Sequence, residues 1–130
     1  MNPVLAGIYS KFAGSTFATA CTGGLHFEVA PQGTAEPYAV YSLVAGRPEY
    51  MFTDVSEIVL VQFDLFALVS TTRADLYDKL TTLYDDSTPT ATGYTSLIME
   101  RTGQQFLREG DQNQIYRAIV EYQVTINKAR

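Results

Sequence analysis

The chain has no tryptophan, one cysteine (Cys21) and one histidine (His26) in 130 residues. A lone cysteine excludes an internal disulfide and every paired-cysteine zinc site, and it implies no oxidising compartment. Positive charge is also scarce. Nine Lys and Arg face fourteen Asp and Glu, a formal net charge of −5. Displacing the counterions condensed on nucleic acid needs clustered cations, and so does adhesion to an anionic membrane. The charge balance argues against both. The longest apolar stretch, residues 58–69, carries Gln62 and Asp64 and is too short to span a bilayer. No basic segment precedes the apolar N-terminal stretch, so no secretory signal is read there. These absences point to a soluble, cytosolic chain.

What is present is core material. Hydrophobic residues make up 46% of the chain, with nine Tyr and seven Phe, against 18% charged residues. That balance suits a packed globular fold and not a disordered one, and the length is that of a single domain over residues 1–130.

The patterning yields seven elements. Asn2-Pro3 reads as a helix start, Leu5, Ile8, Tyr9 and Phe12 recur at helical spacing, and Gly14 reads as the stop. Residues 15–24 are small and read as a loop. Residues 25–29 alternate and predict a short strand, and residues 38–45 predict a second one that ends at Gly46-Arg47-Pro48. A loop carrying Tyr50, Met51 and Phe52 follows, three bulky apolar residues that either fold back on the core or await a partner. Residues 57–69 are the strongest strand, with Val59, Val61, Phe63, Leu65, Ala67 and Val69 on one face. Thr72 and Asp75 fit a capping box for a helix whose face is Leu76, Leu80, Leu83 and Tyr84. The last third predicts a hairpin: residues 94–108 with a bulge or weak point at Gly103, a turn over 109–113, and residues 115–126.

This order predicts an α+β fold, a mostly antiparallel sheet with two helices packed on one face. The second face would carry Ile58, Leu60, Phe66, Ile115 and Ile119 among polar residues. A half-apolar face in so short a chain is expected to be covered by another subunit.

Chemistry is sparse. Cys21 and His26, five residues apart across Gly23-Gly24, would make a nucleophile and base, but no orienting acid accompanies them. Asp85 and Asp86 with Asp75, Asp78 or Asp111 lack calcium-loop spacing and read as solvated charge. Gly23-Gly24 lacks the phosphate-loop patterns. Arg101, Arg108, Arg117, Lys128 and Arg130 fall in the last third but alternate with Glu100, Glu109, Asp111 and Glu121, so nucleic-acid attraction is weak. No catalytic set, cofactor site or metal site is expected. A small α+β ligand-binding or enzymatic domain, dimerising through its sheet and using Cys21 and His26, is the alternative.

One stretch resembles a known family. His26-Phe27-Glu28-Val29 leads to Ala30-Pro31-Gln32-Gly33, and then to Pro37-Tyr38 opening the next strand. That pattern resembles the phage tail-completion, or head-tail joining, family, which includes tail-terminator-like proteins. An N-terminal helix with Ile8-Tyr9, a helix over residues 73–84 and a closing hairpin resemble it in element order. Pro31 and Gly33 suit a tight turn, and Tyr38 and Tyr41 fall on opposite strand faces. The resemblance implies a non-enzymatic, ring-forming structural subunit of the virion, made in the bacterial host cytoplasm. It would sit at the head-proximal end of the tail, most simply as a homohexamer. Its partners would be the tail tube protein and a head-side connector or stopper protein, with no membrane. DNA would pass through the lumen without specific binding, and an acidic subunit suits that passage. The interface expected under this reading comprises Tyr50, Met51, Phe52, Leu60, Phe66 and Ile119. The loops at residues 50–52 and 86–93 would either order on docking or be plain surface loops with a folded-back hydrophobic residue.

Overall fold

The computed structural model describes residues 2–50, 54–110 and 114–129. Side chains at 49, 50, 54 and 129 lie outside that description, as do Met51, Phe52 and Asp111 entirely. The order is α1 (Asn2–Phe12), α2 (Thr16–Ala20), β1 (Leu25–Phe27), β2 (Tyr38–Tyr50), β3 (Asp54–Ala67), α3 (Ser70–Tyr84), β4 (Ser96–Glu109) and β5 (Ile115–Ala129). The strands form one sheet in the order β1-β2-β3-β5-β4. All neighbours are antiparallel except β1, which runs parallel to β2 over Ala39–Tyr41. The fold is therefore α+β with a mostly antiparallel sheet.

Strand alternation divides the sheet into two sides. Val59, Val61, Phe63, Leu65 and Ala67 of β3 pair with Val124, Tyr122, Val120, Ala118 and Tyr116 of β5, and all but Tyr116 are buried. The helices lie on this side. Val4, Ile8 and Phe12 of α1, Phe17 of α2 and Leu76, Leu80 and Tyr84 of α3 complete one core with it. Phe63 sits at the centre, with ring centroids 4.9 Å from Tyr84, 5.7 Å from Tyr122 and 6.1 Å from Tyr41. The Tyr84 hydroxyl donates to the Ile8 carbonyl at 2.8 Å and so ties α3 to α1.

Several boundaries differ from the expectations above, each for a physical reason. There are three helices among the described residues, not two. Residues 15–24 are not all loop, because Ser15 accepts a bond from the Ala18 amide and starts the single turn of α2, which buries Phe17. A five-residue helix has too few apolar positions to show a period. Strand β1 stops at Phe27, since Glu28 turns the chain at φ 65°. Strand β2 does not end at Gly46-Arg47-Pro48 but runs to Tyr50. No strand lies on its outer side there among the described residues, so Pro48 forfeits no ladder bond. Strand β3 runs from 54 to 67, and Leu68 and Val69 are exposed. Val69 is the residue before α3 and makes no side-chain cap, so the expected capping box at Thr72 and Asp75 is absent. The chain bends into helix directly from the sheet, two residues before Thr72. The bulge expected at Gly103 is present as a register shift between Arg101 and Gly103.

The segment after α3 is anchored. Ser87 pairs with Met99, and Pro89 is buried. Thr90 lies against α1 so closely that a Cβ on Gly7 would overlap its carbonyl oxygen. In an open helix Gly→Ala gains about 1 kcal/mol. Here Gly7→Ala should instead lose about 1–3 kcal/mol through overpacking. Urea titration checks the sign: a stabilised Gly7→Ala variant would show that this segment does not press on α1.

Candidate functional site

The sheet side away from the helices is the candidate surface. The β2–β3–β5 register puts Tyr38, Val40 and Ser42 beside Phe66, Asp64 and Gln62, and these beside Arg117, Ile119 and Glu121. Leu60 pairs with Gln123 further along. Each expected interface residue in the described set, Leu60, Phe66 and Ile119, therefore lies on this side and is half-buried. They share the face but not one cluster. Leu60 lines a shallow hollow of about 250 Å³ with Ala45, Gly46, Arg47, Ile58 and Gln123. Ile119 lines one of about 190 Å³ with Gly103, Gln104, Gln105 and Glu121. Phe66 lines a third of about 250 Å³ with Val29, Tyr38, Val40 and Asp64. Tyr50 ends β2 with its side chain outside the described residues, and Met51 and Phe52 lie outside them as well.

Charge is placed in the middle of the apolar surface. The Arg117 guanidinium reaches Asp64 and Glu109, each at 3.3 Å, and covers the Phe66 ring at 5.4 Å. Phe66 in turn stacks on Tyr38 at 4.8 Å. Burial works against the Arg117 charge, but Asp64 and Glu109 outweigh it and hold its pKa above the ordinary value. The Arg117 Nε is buried without a protein partner. Towards the far end Ser56, Asn127 and Ser96 join β3, β5 and β4 through side-chain hydrogen bonds. The face is thus a mosaic of apolar hollows around the bridge from Arg117 to Asp64 and Glu109; aromatic residues and Arg are enriched in protein interfaces, whereas carboxylates are depleted there.

The Cys21–His26 pair is structural. Burial pushes the Cys21 thiol up from 9.0 to about 12, with a backbone hydrogen bond at Gly24 opposing the shift. Its Sγ donates to the Gly24 carbonyl at 3.5 Å, and the His26 Nε2 donates to the Gly23 carbonyl at 2.8 Å. Gly23 also donates to the Pro37 carbonyl, and a Cβ there would overlap the Ala35 carbonyl. His26 closes the turn on itself, while Gly23 and the Cys21 thiol, whose Sγ lies 3.9 Å from the Pro37 carbonyl, tie it to the Pro-rich loop that the sequence singled out. That loop is closed by the Thr34 amide on the Pro31 carbonyl at 3.1 Å.

The acidic residues are dispersed. Asp75 pairs with Lys79, while Asp85 accepts from Tyr122 at 2.6 Å and pairs with Arg101 at 3.2 Å. Among the described residues no three His, Cys, Asp or Glu side chains gather into a cluster that would hold a metal ion. Arg101 lies on the helix side and Arg117 on the open side, so the hairpin does not bring them into one basic patch. No described helix is long and apolar enough to cross a membrane.

One contact was invisible in the sequence. Arg73 lies between the rings of Phe106 and Tyr116, at 5.4 and 5.3 Å, and donates to the Leu107 carbonyl at 2.8 Å. It ties the start of α3 to the β4–β5 hairpin across more than thirty residues of chain, and no local pattern signals such a pairing.

Comparison with known proteins gives a family and a fold. A protein-family model described as "Tail completion protein gp17" matches residues 6–127. A chain from the solved virion of a native gene transfer agent (GTA) particle is 11% identical, with a TM-score of 0.72, covering 94% of this chain and 92% of that one. At that identity the likeness shows the fold alone. No curated protein matches the sequence.

The buried groups set an alkaline limit. A thiol with a folded pKa above its unfolded value stabilises the fold below pH 9.0, and that contribution is lost as pH rises towards 12, since only the unfolded chain ionises readily. Burial raises Tyr84 and Tyr122 above their ordinary 10.0 as well, which acts in the same direction. Stability should therefore fall as pH climbs from 9.0 to 12, less steeply in Cys21→Ala. In the folded state Cys21 should resist a thiol reagent at neutral pH and react fully in denaturant. Rapid labelling of the native protein would contradict the structural role.

Proposed function

We propose that this chain, which belongs to the tail completion protein gp17 family, is a ring-forming subunit that closes the head-proximal end of a phage-type tail. Membership makes it a structural phage tail protein. The finer assignment rests on one observation: the sheet side away from the helices is half apolar, and no described helix packs on it. A neighbouring protein in a particle covers such a side. The gene transfer agent virion offers a particle in which a chain of this fold occurs.

In this reading the subunit is a homo-oligomer, most simply a hexamer. It docks on the tail tube protein at one end and on a head-side connector or stopper at the other. Leu60, Phe66 and Ile119 contribute to its contacts from the open face, with Tyr50, Met51 and Phe52 at the β2–β3 connection. DNA crosses the ring without a specific site, and the net charge of −5 discourages phosphate adhesion. The ligand-binding alternative loses its chemistry, since Cys21 and His26 are both engaged with backbone carbonyls. The role needs no cofactor, metal or catalysis, and a single domain over residues 1–130 suffices for it.

Light scattering across a concentration series, with images of each species, tests the ring. Particles of about six subunits are expected. A tight closed dimer at every concentration would instead favour a different use of the face. Leu60→Glu, and separately the triple alanine variant at Tyr50, Met51 and Phe52, should keep a cooperative melt and lose assembly. A collapsed melt in the triple variant would assign those side chains to the core.

A further inference from the structure

The sheet has two free edges, and they differ. β1 covers β2 only over Ala39–Tyr41, so from residue 42 to 50 the outer edge of β2 has no strand beside it among the described residues. At the opposite side β4 is the last strand, bridged only where Ser87 pairs with Met99, and its edge from 100 to 109 is likewise without a strand. Both edges carry large exposed apolar side chains: Val44 is 53% exposed on β2 and Phe106 is 46% exposed on β4. A long uncovered edge is a template for pairing with another chain.

We propose that these edges form the seam between subunits, the β2 edge of one copy pairing antiparallel with the β4 edge of the next. The proposal rests on the ring reading above and names the surface that builds the ring. Strand direction carries the argument. β2, β3, β5 and β4 alternate in direction along the sheet, so β4 runs opposite to β2. A copy turned about an axis along the strands keeps those directions. Its β4 then arrives antiparallel to β2, and the alternation continues across the seam without interruption.

Such a contact joins two different surfaces. It leaves each subunit with one edge of each kind, the condition for a closed ring or a filament and not for a simple dimer. Both edges are also irregular. β2 has a register shift between Leu43 and Ala45 and then Pro48, which has no N–H to donate, and β4 has its own shift at Gly103. A generic strand fits such an edge poorly, whereas a partner shaped to the same irregularities pairs well.

Complementary blocked variants test the seam. Val44→Lys spoils the β2 edge and Gln104→Lys the β4 edge, and both positions are exposed, so each variant should keep a cooperative melt. Each alone should assemble at least about tenfold more weakly than the native chain. Mixed in equal amounts they should form a one-to-one dimer, because each retains the edge the other lacks. Hydrogen exchange supplies a readout that needs no variant: on assembly of the native chain, amides in 42–50 and in 100–109 should both slow. Protection of one edge only, or a mixture that stays monomeric while the native chain assembles, would overturn the seam. Rings whose two edges still exchange freely would remove the seam and leave the ring standing. A native chain that is monomeric at every concentration would also overturn a self-driven seam, leaving assembly on a tail template as the surviving form of the ring.

Discussion

The aromatic cluster around Phe63 is the contact on which the rest of the structure depends. Phe63 lies mid-strand in β3, and its ring meets Tyr41 from β2, Tyr122 from β5 and Tyr84 from α3. Paired aromatic rings contribute beyond the area they bury. The polar ends of these rings carry the order outward. Tyr84 bonds the α1 backbone, and Tyr122 bonds Asp85, which in turn holds Arg101 on β4. Three phenol-bearing residues thus link two helices and four strands through one centre, and burial raises the pKa of all three hydroxyls.

Building the core on one side of the sheet has a consequence for the other. Period-two alternation means that every residue directed at Phe63 has strand neighbours directed away from the helices. Those neighbours on β3 are Ile58, Leu60, Gln62, Asp64 and Phe66, neither plainly polar nor plainly apolar. The Arg117 bridge to Asp64 and Glu109 keeps the centre of this side charged and ordered while leaving apolar hollows around it. Such a face is compatible with a free subunit in water and with later burial against a partner. The edges repeat the theme, since they offer backbone pairing yet are irregular enough to restrict it.

Much of this was legible in the chain. Alternation in residues 57–69 located β3 and its buried face, overshooting the strand end by Leu68 and Val69, and the hairpin of β4 and β5 followed from two long alternating runs around a Gly-containing turn. The split of Tyr38 and Tyr41 to opposite sides held: Tyr41 stacks in the core and Tyr38 stacks on Phe66 outside it. Leu60, Phe66 and Ile119 could be assigned to one side because strand parity needs no tertiary information. Where local signals competed with tertiary context, the reading failed. Gly46-Arg47-Pro48 looks like a strand end, yet an edge position tolerates it. Thr72 looks like a cap, yet the helix begins earlier because β3 runs straight into it.

Composition and periodicity alone therefore determined the fold class, the central strand, the two faces and the absence of paired-cysteine chemistry, since each depends only on residue type and spacing along the chain. The parallel placement of β1, the Arg73 clamp on the hairpin, the commitment of Cys21 and His26 to backbone carbonyls and the identity of the free edges were decided by the tertiary structure alone. Each of these depends on which distant segments come to lie side by side, and the pairing of a strand with a neighbour many residues away leaves no mark in either segment by itself.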